Sequence, residues 1–343
     1  MSMMRALQLF AERDLRLVAL PPPSPPAAGE VLLRIRHVGL NHIDVWGWRG
    51  MAFAKRKMPF TVTTEAVGEI VAVGPGVSGL AVGQRVVPFG AITCGVCRAC
   101  REGRDNLCEA IAGIRGFHID GFAQELTNHP ARLLIPVPDG VALRDAACAA
   151  VAYGTVEHML FDNAKLEPGE SILVHAGGSG IGSIAIRVAK SLGCMVITTV
   201  GSDDKMEKAR ALGADHVINY RTDRFEGVVR RITAKKGVDV VVEHVGADTW
   251  SGSLLSLRRG GRLVTCGATS GASGSINLMQ LFQQQYRIFG SFGASKRNIA
   301  AALARMATGV LPVIDSEYTL ETFRDALGRM ERREVFGKMV VGL

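Results

Sequence analysis

Residues 171–192 read SILVHAGGSGIGSIAIRVAKSL, and the order of residue types in this stretch decides the fold. Ser171–Val174 is a short apolar run of buried-strand type. The turn Ala176-Gly177-Gly178-Ser179-Gly180-Ile181-Gly182 then offers side chains small enough for backbone N–H groups to approach a pyrophosphate. The helix that opens behind it would add the positive end of its dipole. Ile181, Ile184, Ala185, Val188 and Ala189 recur at helical spacing and mark that helix's buried face. A glycine-rich turn alone is a weak signal and is often only a tight turn. Placed between an apolar strand and a patterned helix, and followed by a second strand, it predicts a dinucleotide site at Gly177, Ser179, Gly180, Ile181 and Gly182.

The same strand–helix alternation continues downstream. MVITTV leads into DDKMEKARALG, HVINY into RFEGVVRRIT, VDVVVEHVG into DTWSGSLLSL, and GRLVTCG closes the series, with RIFGSF as a sixth strand. Apolar strands alternating with helices of about ten residues predict an α/β class protein with a doubly wound parallel Rossmann sheet. Gly193 and Gly213 fall where two of these helices should end. Ligands of such sheets sit outside the carboxyl ends of the strands. Val245, Cys266, Gly267, Ala268, Ser291 and Phe292 are therefore expected to wall a nicotinamide pocket. An Asp or Glu just past the second strand would bond a ribose 2′-hydroxyl and repel a 2′-phosphate. Here the strand ends Thr199-Val200-Gly201-Ser202, and Asp203 and Asp204 come late enough to act as first-turn helix residues. Ser202 and Lys205 are expected to receive a phosphate, which favours NADP(H), with NAD(H) as the alternative.

The chain before Pro136 has a different texture. After Met4–Phe10 the proline-rich run Pro21–Pro26 reads as a surface connection, and segments such as VLLRIRHVGL and EAVGEIVAVGPGV predict an irregular antiparallel or barrel-like β domain. Cys94, Cys97, Cys100 and Cys108 are spaced C-x2-C-x2-C-x7-C on a glycine-containing loop. Four thiolates at this spacing can close around one tetrahedral zinc, leaving no position for water or substrate, so such a site is structural. Spacing alone also admits an iron–sulfur cluster or a reduced, metal-free quartet. Cys148, Cys194 and Cys266 sit in apolar runs and read as core residues.

The bulk properties narrow the function classes. A length of 343 residues exceeds what one core usually organises, so two domains are expected. Hydrophobic residues at 48% and charged residues at 21% exclude a disordered chain. The charge of +8, from 40 basic and 32 acidic residues, is dispersed and forms no stripe interleaved with aromatics. No nucleic-acid partner is expected, though the field favours small anions. No run reaches about 18 apolar residues, so no membrane partner is expected, and no secretory signal is legible; a cytoplasmic location follows as the expectation.

With GLNHIDVWGWRG, the four-cysteine lobe, SILVHAGGSGIG and the closing VFGKMVV quoted together, the chain resembles the medium-chain dehydrogenase/reductase superfamily. That group holds the zinc alcohol dehydrogenases and the quinone reductases. The resemblance spans essentially the whole chain. It implies a GroES-like, mostly β catalytic domain built from both chain ends, at 1–135 and 289–343, with a structural zinc lobe at 91–110. The Rossmann domain would occupy 136–288. It further implies a small-molecule substrate and a homodimer, with a tetramer as the alternative.

Zinc alcohol dehydrogenases hold a second, catalytic zinc, and here the resemblance breaks. Asn41 stands in the cysteine's place of G-x-C-x-[ST]-D, Thr64 in the histidine's place of G-H-E, and Val151 near the third ligand position. An amide, a hydroxyl and an aliphatic chain do not make the donor set that zinc prefers. Without that ion nothing lowers an alcohol's pKa, and Ile43 also removes the hydroxyl that would begin a proton relay. The pattern Asn41-x-x-Asp44 is similar to the zinc-free quinone and enone reductases. In these, hydride passes to a quinone or to the β-carbon of an activated double bond, and polar side chains or solvent protonate the enolate.

By position in the family, His42 and Lys338 flank the cofactor pyrophosphate and Thr155 packs on the nicotinamide. Asn41 is the candidate for polarising a substrate carbonyl, against the plainer expectation that it bonds neighbouring backbone. Asp44 and Thr64 complete the candidate catalytic set, and Glu65 is expected to pair structurally. Trp46, Trp48 and Phe53 would line an apolar cleft or simply pack. The run Lys55-Arg56-Lys57 is the only feature suggesting a coenzyme A phosphate, and a solvated loop is its default reading. The tyrosine used by mitochondrial enoyl thioester reductases has no counterpart in Trp48–Ala52. Two other functions stay open: an alcohol dehydrogenase with misaligned metal ligands, and a cofactor-binding protein with little activity.

Overall fold

The computed structural model describes residues 3–50 and 57–343; Phe53, Lys55 and Arg56 lie outside the described residues. The chain divides into two compact units, one of Met1–Gly154 with Ala294–Leu343 and one of Thr155–Gly293. No helix among the described residues is long and apolar enough to cross a membrane.

The second unit is the sheet that the strand–helix alternation predicts. Its six strands, in chain order Ser171–Val174, Met195–Val200, His216–Asn219, Val238–Glu243, Leu257–Thr265 and Arg287–Gly290, pair in the order 3-2-1-4-5-6. Every pair is parallel. Such strands are covered on both faces, which is why they read as unbroken Val/Ile/Leu runs instead of alternating. Leu173, Ile197, Val241 and Leu263 meet Val229 and Leu254 from the flanking helices in one core. The helices Gly180–Ser191 and Asp203–Ala211 stop before Gly193 and Gly213, whose φ of 73° and 103° only glycine adopts cheaply.

In the first unit, strand Glu30–Gly39 pairs antiparallel with Glu65–Val73 on one side. On its other side it meets Leu126–Pro130 and then Lys338–Gly342. The C-terminal strand thus lies beside an early one, and the two chain ends share one core that includes Val31, Leu33, Phe122, Phe323 and Val341.

The boundaries expected at 135/136 and 288/289 shift to 154/155 and 293/294. The reason is hydrogen bonding that texture does not reveal. Val151 and Ala152, in the π-helical turn Ala149–Tyr153, donate their amides to Glu65, and the Tyr153 hydroxyl donates to the Val310 carbonyl. At the other end, Arg287–Gly290 is held as the sixth parallel strand by pairing with Arg262–Thr265.

Candidate active site

In the parallel-sheet unit, the turn after the first strand is crowded to the limit. A Cβ on Gly177 would run into the Thr198 hydroxyl, and one on Gly182 into the Ala176 carbonyl. Ser179 caps the helix, its Oγ accepting from Gly182 N at 2.8 Å. The first-turn amides of Gly180 and Ile181 precede the helix's own acceptors and are the groups such a turn presents to an anion. A pyrophosphate therefore fits this cradle.

At the end of the second strand, Ser202 precedes the helix Asp203–Ala211 and its hydroxyl hydrogen-bonds Asp204, which holds that carboxyl low. The structure adds a residue that sequence reading missed. Tyr220, just past the third strand, lays its hydroxyl over Gly201, where any side chain would collide with it. Tyr220 thereby stands close to Ser202 at the end of the second strand, with Lys205 one helical turn along. The pairing of strands two and three was the signal that could have found it.

Val245, Cys266–Ala268 and Ser291 follow the fourth, fifth and sixth strands at the same end of the sheet as the glycine turn. Ser291 is fixed by its amide to the Thr265 carbonyl and by Asn163 Nδ2 at 3.1 Å. Phe292 exposes 63% of its surface and Thr155 is buried at the start of the unit. Burial drives the Cys266 thiol up to about 12, so it is an inert wall.

The metal lobe fits its expected ion. The four sulfurs of Cys94, Cys97, Cys100 and Cys108 all lie within 4.8 Å of one another, close enough to gather around one tetrahedral zinc. Backbone amides of Val96 and Cys97 aimed at Cys94 hold its thiol down to about 6, so a thiolate is available. Among the described residues this is the one cluster of three or more His, Cys, Asp or Glu placed to hold a metal.

The positions of the family's catalytic zinc ligands hold something else. Glu65 is fully buried, with Oε1 accepting the Val151 amide at 2.5 Å and the Ala152 amide at 3.1 Å. Its Oε2 accepts from Asn41 Nδ2 at 2.9 Å and from the Lys338 ammonium at 2.9 Å. Lys338 also donates to Asn41 Oδ1 and the Leu40 carbonyl, each at 2.7 Å. Two residues are engaged differently from what was expected. Lys338, expected to flank a pyrophosphate, is only 2% exposed at its side chain, and its three protons go to Glu65, Asn41 and Leu40. Asn41 directs its amide hydrogens to Glu65 and Gly39, leaving none for a substrate carbonyl. Glu65 pairs structurally, as expected.

His42 stays half-buried at the start of helix His42–Trp48, its ring edge-on to Trp46 at 5.4 Å, and burial lowers its pKa. Trp48 packs on the core beneath the Arg13 guanidinium at 4.6 Å. Asp44 accepts the Asn41 amide at 2.8 Å through Oδ2. Its Oδ1 is buried with no hydrogen-bond partner among the described residues, as is Thr64 Oγ1. Burial raises the Asp44 carboxyl to about 7, against the pull of the Asn41 amide and Lys338.

The alcohol dehydrogenase GroES-like domain family matches residues 27–139, and the zinc-binding dehydrogenase family matches residues 180–308. An alcohol dehydrogenase of Geobacillus stearothermophilus is 32% identical over 318 residues, covering 91% of this chain and 92% of that protein. A 2-haloacrylate reductase from Burkholderia sp is 34% identical over 263 residues, or 74% of this chain and 70% of the relative. Among solved structures, an NAD-dependent alcohol dehydrogenase superposes with a TM-score of 0.93 at 37% identity, covering 99% of this chain and 100% of the other.

Proposed function

This chain belongs to the medium-chain dehydrogenase/reductase superfamily of nicotinamide-dependent oxidoreductases, and from that membership we propose that it is an NADPH-dependent reductase of quinones or α,β-unsaturated carbonyl compounds, working without a catalytic zinc. The observation that carries this reading is the Glu65–Asn41–Lys338 cluster. The place where a thiolate and imidazole would hold zinc is closed by an ion pair whose donors and acceptors already answer one another.

Bound NADPH supplies a hydride to the electron-poor carbon of the acceptor. In the first unit, Thr64 Oγ1 is a buried hydroxyl with no hydrogen-bond partner among the described residues, able to donate to the carbonyl oxygen as its negative charge grows. Asp44, held near neutrality by burial, is the group able to carry the proton that an enolate needs at its α-carbon. Asn41, anchored by Lys338, caps the helix on which Asp44 sits. Ser202, Lys205 and Tyr220 receive a 2′-phosphate in the second unit, and Lys205→Ala is expected to raise the KM for NADPH about tenfold while leaving that for NADH unchanged.

A second reading, oxidation of alcohols, draws on the alcohol dehydrogenases similar over nearly the full chain. Metal content and turnover separate the two. About one zinc per chain, with NADPH oxidation by enones or quinones exceeding alcohol oxidation, supports the reductase. Two zincs, or alcohol turnover lost on chelation, would overturn it. We also propose a homodimer: the sixth strand is a sheet edge, and the helix Leu278–Gln284 beside it exposes Leu278, Met279 and Phe282. Light scattering checks the mass.

A further inference from the structure

The parallel-sheet unit contains a buried polar chain that neither cofactor contact nor core packing explains. Glu243 ends the fourth strand and is fully buried. Its Oε1 accepts the amides of Val245 at 2.7 Å and Gly246 at 3.1 Å. Its Oε2 accepts the hydroxyls of Thr249 at 2.8 Å and Ser253 at 2.6 Å. Ser253 Oγ lies 2.9 Å from His175 Nε2, and His175 Nδ1 lies 3.1 Å from Thr199 Oγ1. Thr199 Oγ1 in turn accepts the amide of Ala176 at 3.1 Å, and the Thr199 carbonyl accepts that of Gly177 at 2.9 Å.

The direction of each bond can be assigned. Ser253 donates to the carboxylate, so its oxygen accepts, and His175 must carry its proton on Nε2. The unprotonated Nδ1 then accepts from the Thr199 hydroxyl, whose oxygen takes the Ala176 N–H. Each proton is used once and none is in conflict. One end of this chain is the loop Val245–Gly246 after the fourth strand. The other is the entry of the glycine turn, where Ala176 is held at a φ of 47° that a residue with a Cβ adopts only under constraint.

We propose that Glu243 is a positioning residue that fixes the nicotinamide-side loop Val245–Gly246 directly and the glycine turn through Ser253, His175 and Thr199, so that the two loops are held in register by one buried carboxylate. This rests on the reading that these loops bind NADP(H). The physical logic is that a single anion surrounded by four donors cannot release one loop without leaving a buried group unpaired, and in a low-dielectric interior such a group is costly. A helix or strand could hold either loop; only a shared hub makes them move together.

The test is Ser253→Ala in the full chain, with Thr199→Val as a second, nearly isosteric cut at the far end. In the cofactor-free protein, hydrogen exchange of the bonded amides of Gly177, Ser179 and Gly182 is expected to rise roughly tenfold in both variants, while Val245 and Gly246, still held by Oε1, keep their wild-type protection. The KM and Kd for NADPH should rise by a similar roughly tenfold factor with kcat within about twofold, because the chemistry is untouched. Glu243→Gln can keep every contact by reversing the hydroxyl and imidazole protons and should retain most of the affinity. Unchanged exchange at Gly177, Ser179 and Gly182, or exchange raised uniformly through the unit, would overturn the proposal. Failure of the wild type to bind NADPH would instead sink the functional reading, and the exchange pattern would still decide the coupling.

Discussion

Each unit is built around a buried glutamate, and the two are solved by different chemistry. Glu65 and Glu243 are both fully buried, and each turns one oxygen toward two consecutive backbone amides. Their second oxygens differ. Glu65 faces the Lys338 ammonium and an amide, whereas Glu243 faces two hydroxyls with a histidine behind them. Burial lowers the His175 pKa to about 4 against the attraction of Glu243, so at neutral pH this histidine is uncharged. Despite its own burial, Glu243 is kept below the usual carboxylate range by His175, Ser253 and the two amides. One anion is thus balanced by a charge, the other by dipoles. The difference has a structural consequence: an ion pair closes on itself among Glu65, Asn41 and Lys338, while a dipolar chain can extend to a distant loop.

The largest effect should come from unbalancing the charged hub. Lys338→Met leaves Glu65 buried without its cation and is expected to cost about 3–5 kcal/mol of stability by denaturant unfolding. Lys338→Met combined with Glu65→Gln should recover much of that loss. A double variant no better than the single one would show that packing, not charge, explains the cost. At the dipolar hub, Thr249→Val removes one donor of four and should cost about 1–3 kcal/mol, less than the lysine substitution. The ranking reversed would break the comparison. Glu243→Gln should cost roughly 1 kcal/mol, because the partners of Oε2 are hydroxyls that can turn while the oxygen facing the two amides is kept.

The smallest effect is a difference in pH slope. His175 binds its proton at about 4 when folded and at the ordinary 6.5 when unfolded, so its contribution is complete above pH 6.5 and is lost as pH falls toward 4. Asp44 behaves oppositely. Its folded value of about 7 lies above the ordinary 3.8, so its contribution is complete below about pH 4 and is lost as pH rises to 7. Between about pH 4 and 6.5 the two slopes oppose one another in the wild type, so stability should rise with pH across that range more steeply in Asp44→Asn and fall more steeply in His175→Gln. Identical slopes in both variants and wild type would show that neither group titrates as its burial implies.

Much of this was legible before any coordinates. The parallel sheet, its strand ends and the glycine turn follow from apolar runs of four to six residues broken by glycine, and the cysteine quartet follows from spacing. These are properties of neighbours in the chain, where geometry is dictated by local steric and hydrogen-bonding rules. Asn41 was legible as a departure from a zinc ligand but not as a member of an ion-paired cluster, since Lys338 lies 297 residues further on. Lys338 itself was placed beside a pyrophosphate by analogy and is found in the interior. The unit boundary at Gly154 was missed because Val151 and Ala152 carry no side-chain signal; their amides, not their side chains, tie them to Glu65.

The sequence by itself determined that this chain winds a nucleotide-type sheet, spaces four cysteines as a metal lobe does and sets an amide, a hydroxyl and an aliphatic side chain at Asn41, Thr64 and Val151. Only the tertiary structure decided what Asn41 pairs with, which residue stands beside Ser202 at the end of the second strand, and how one carboxylate reaches two loops. The reason is range. Periodicity and spacing encode what a residue does to its neighbours, whereas the partners of a buried charge are chosen by whatever strands the fold brings alongside it, 68 residues away for Glu243 and His175 and 273 for Glu65 and Lys338.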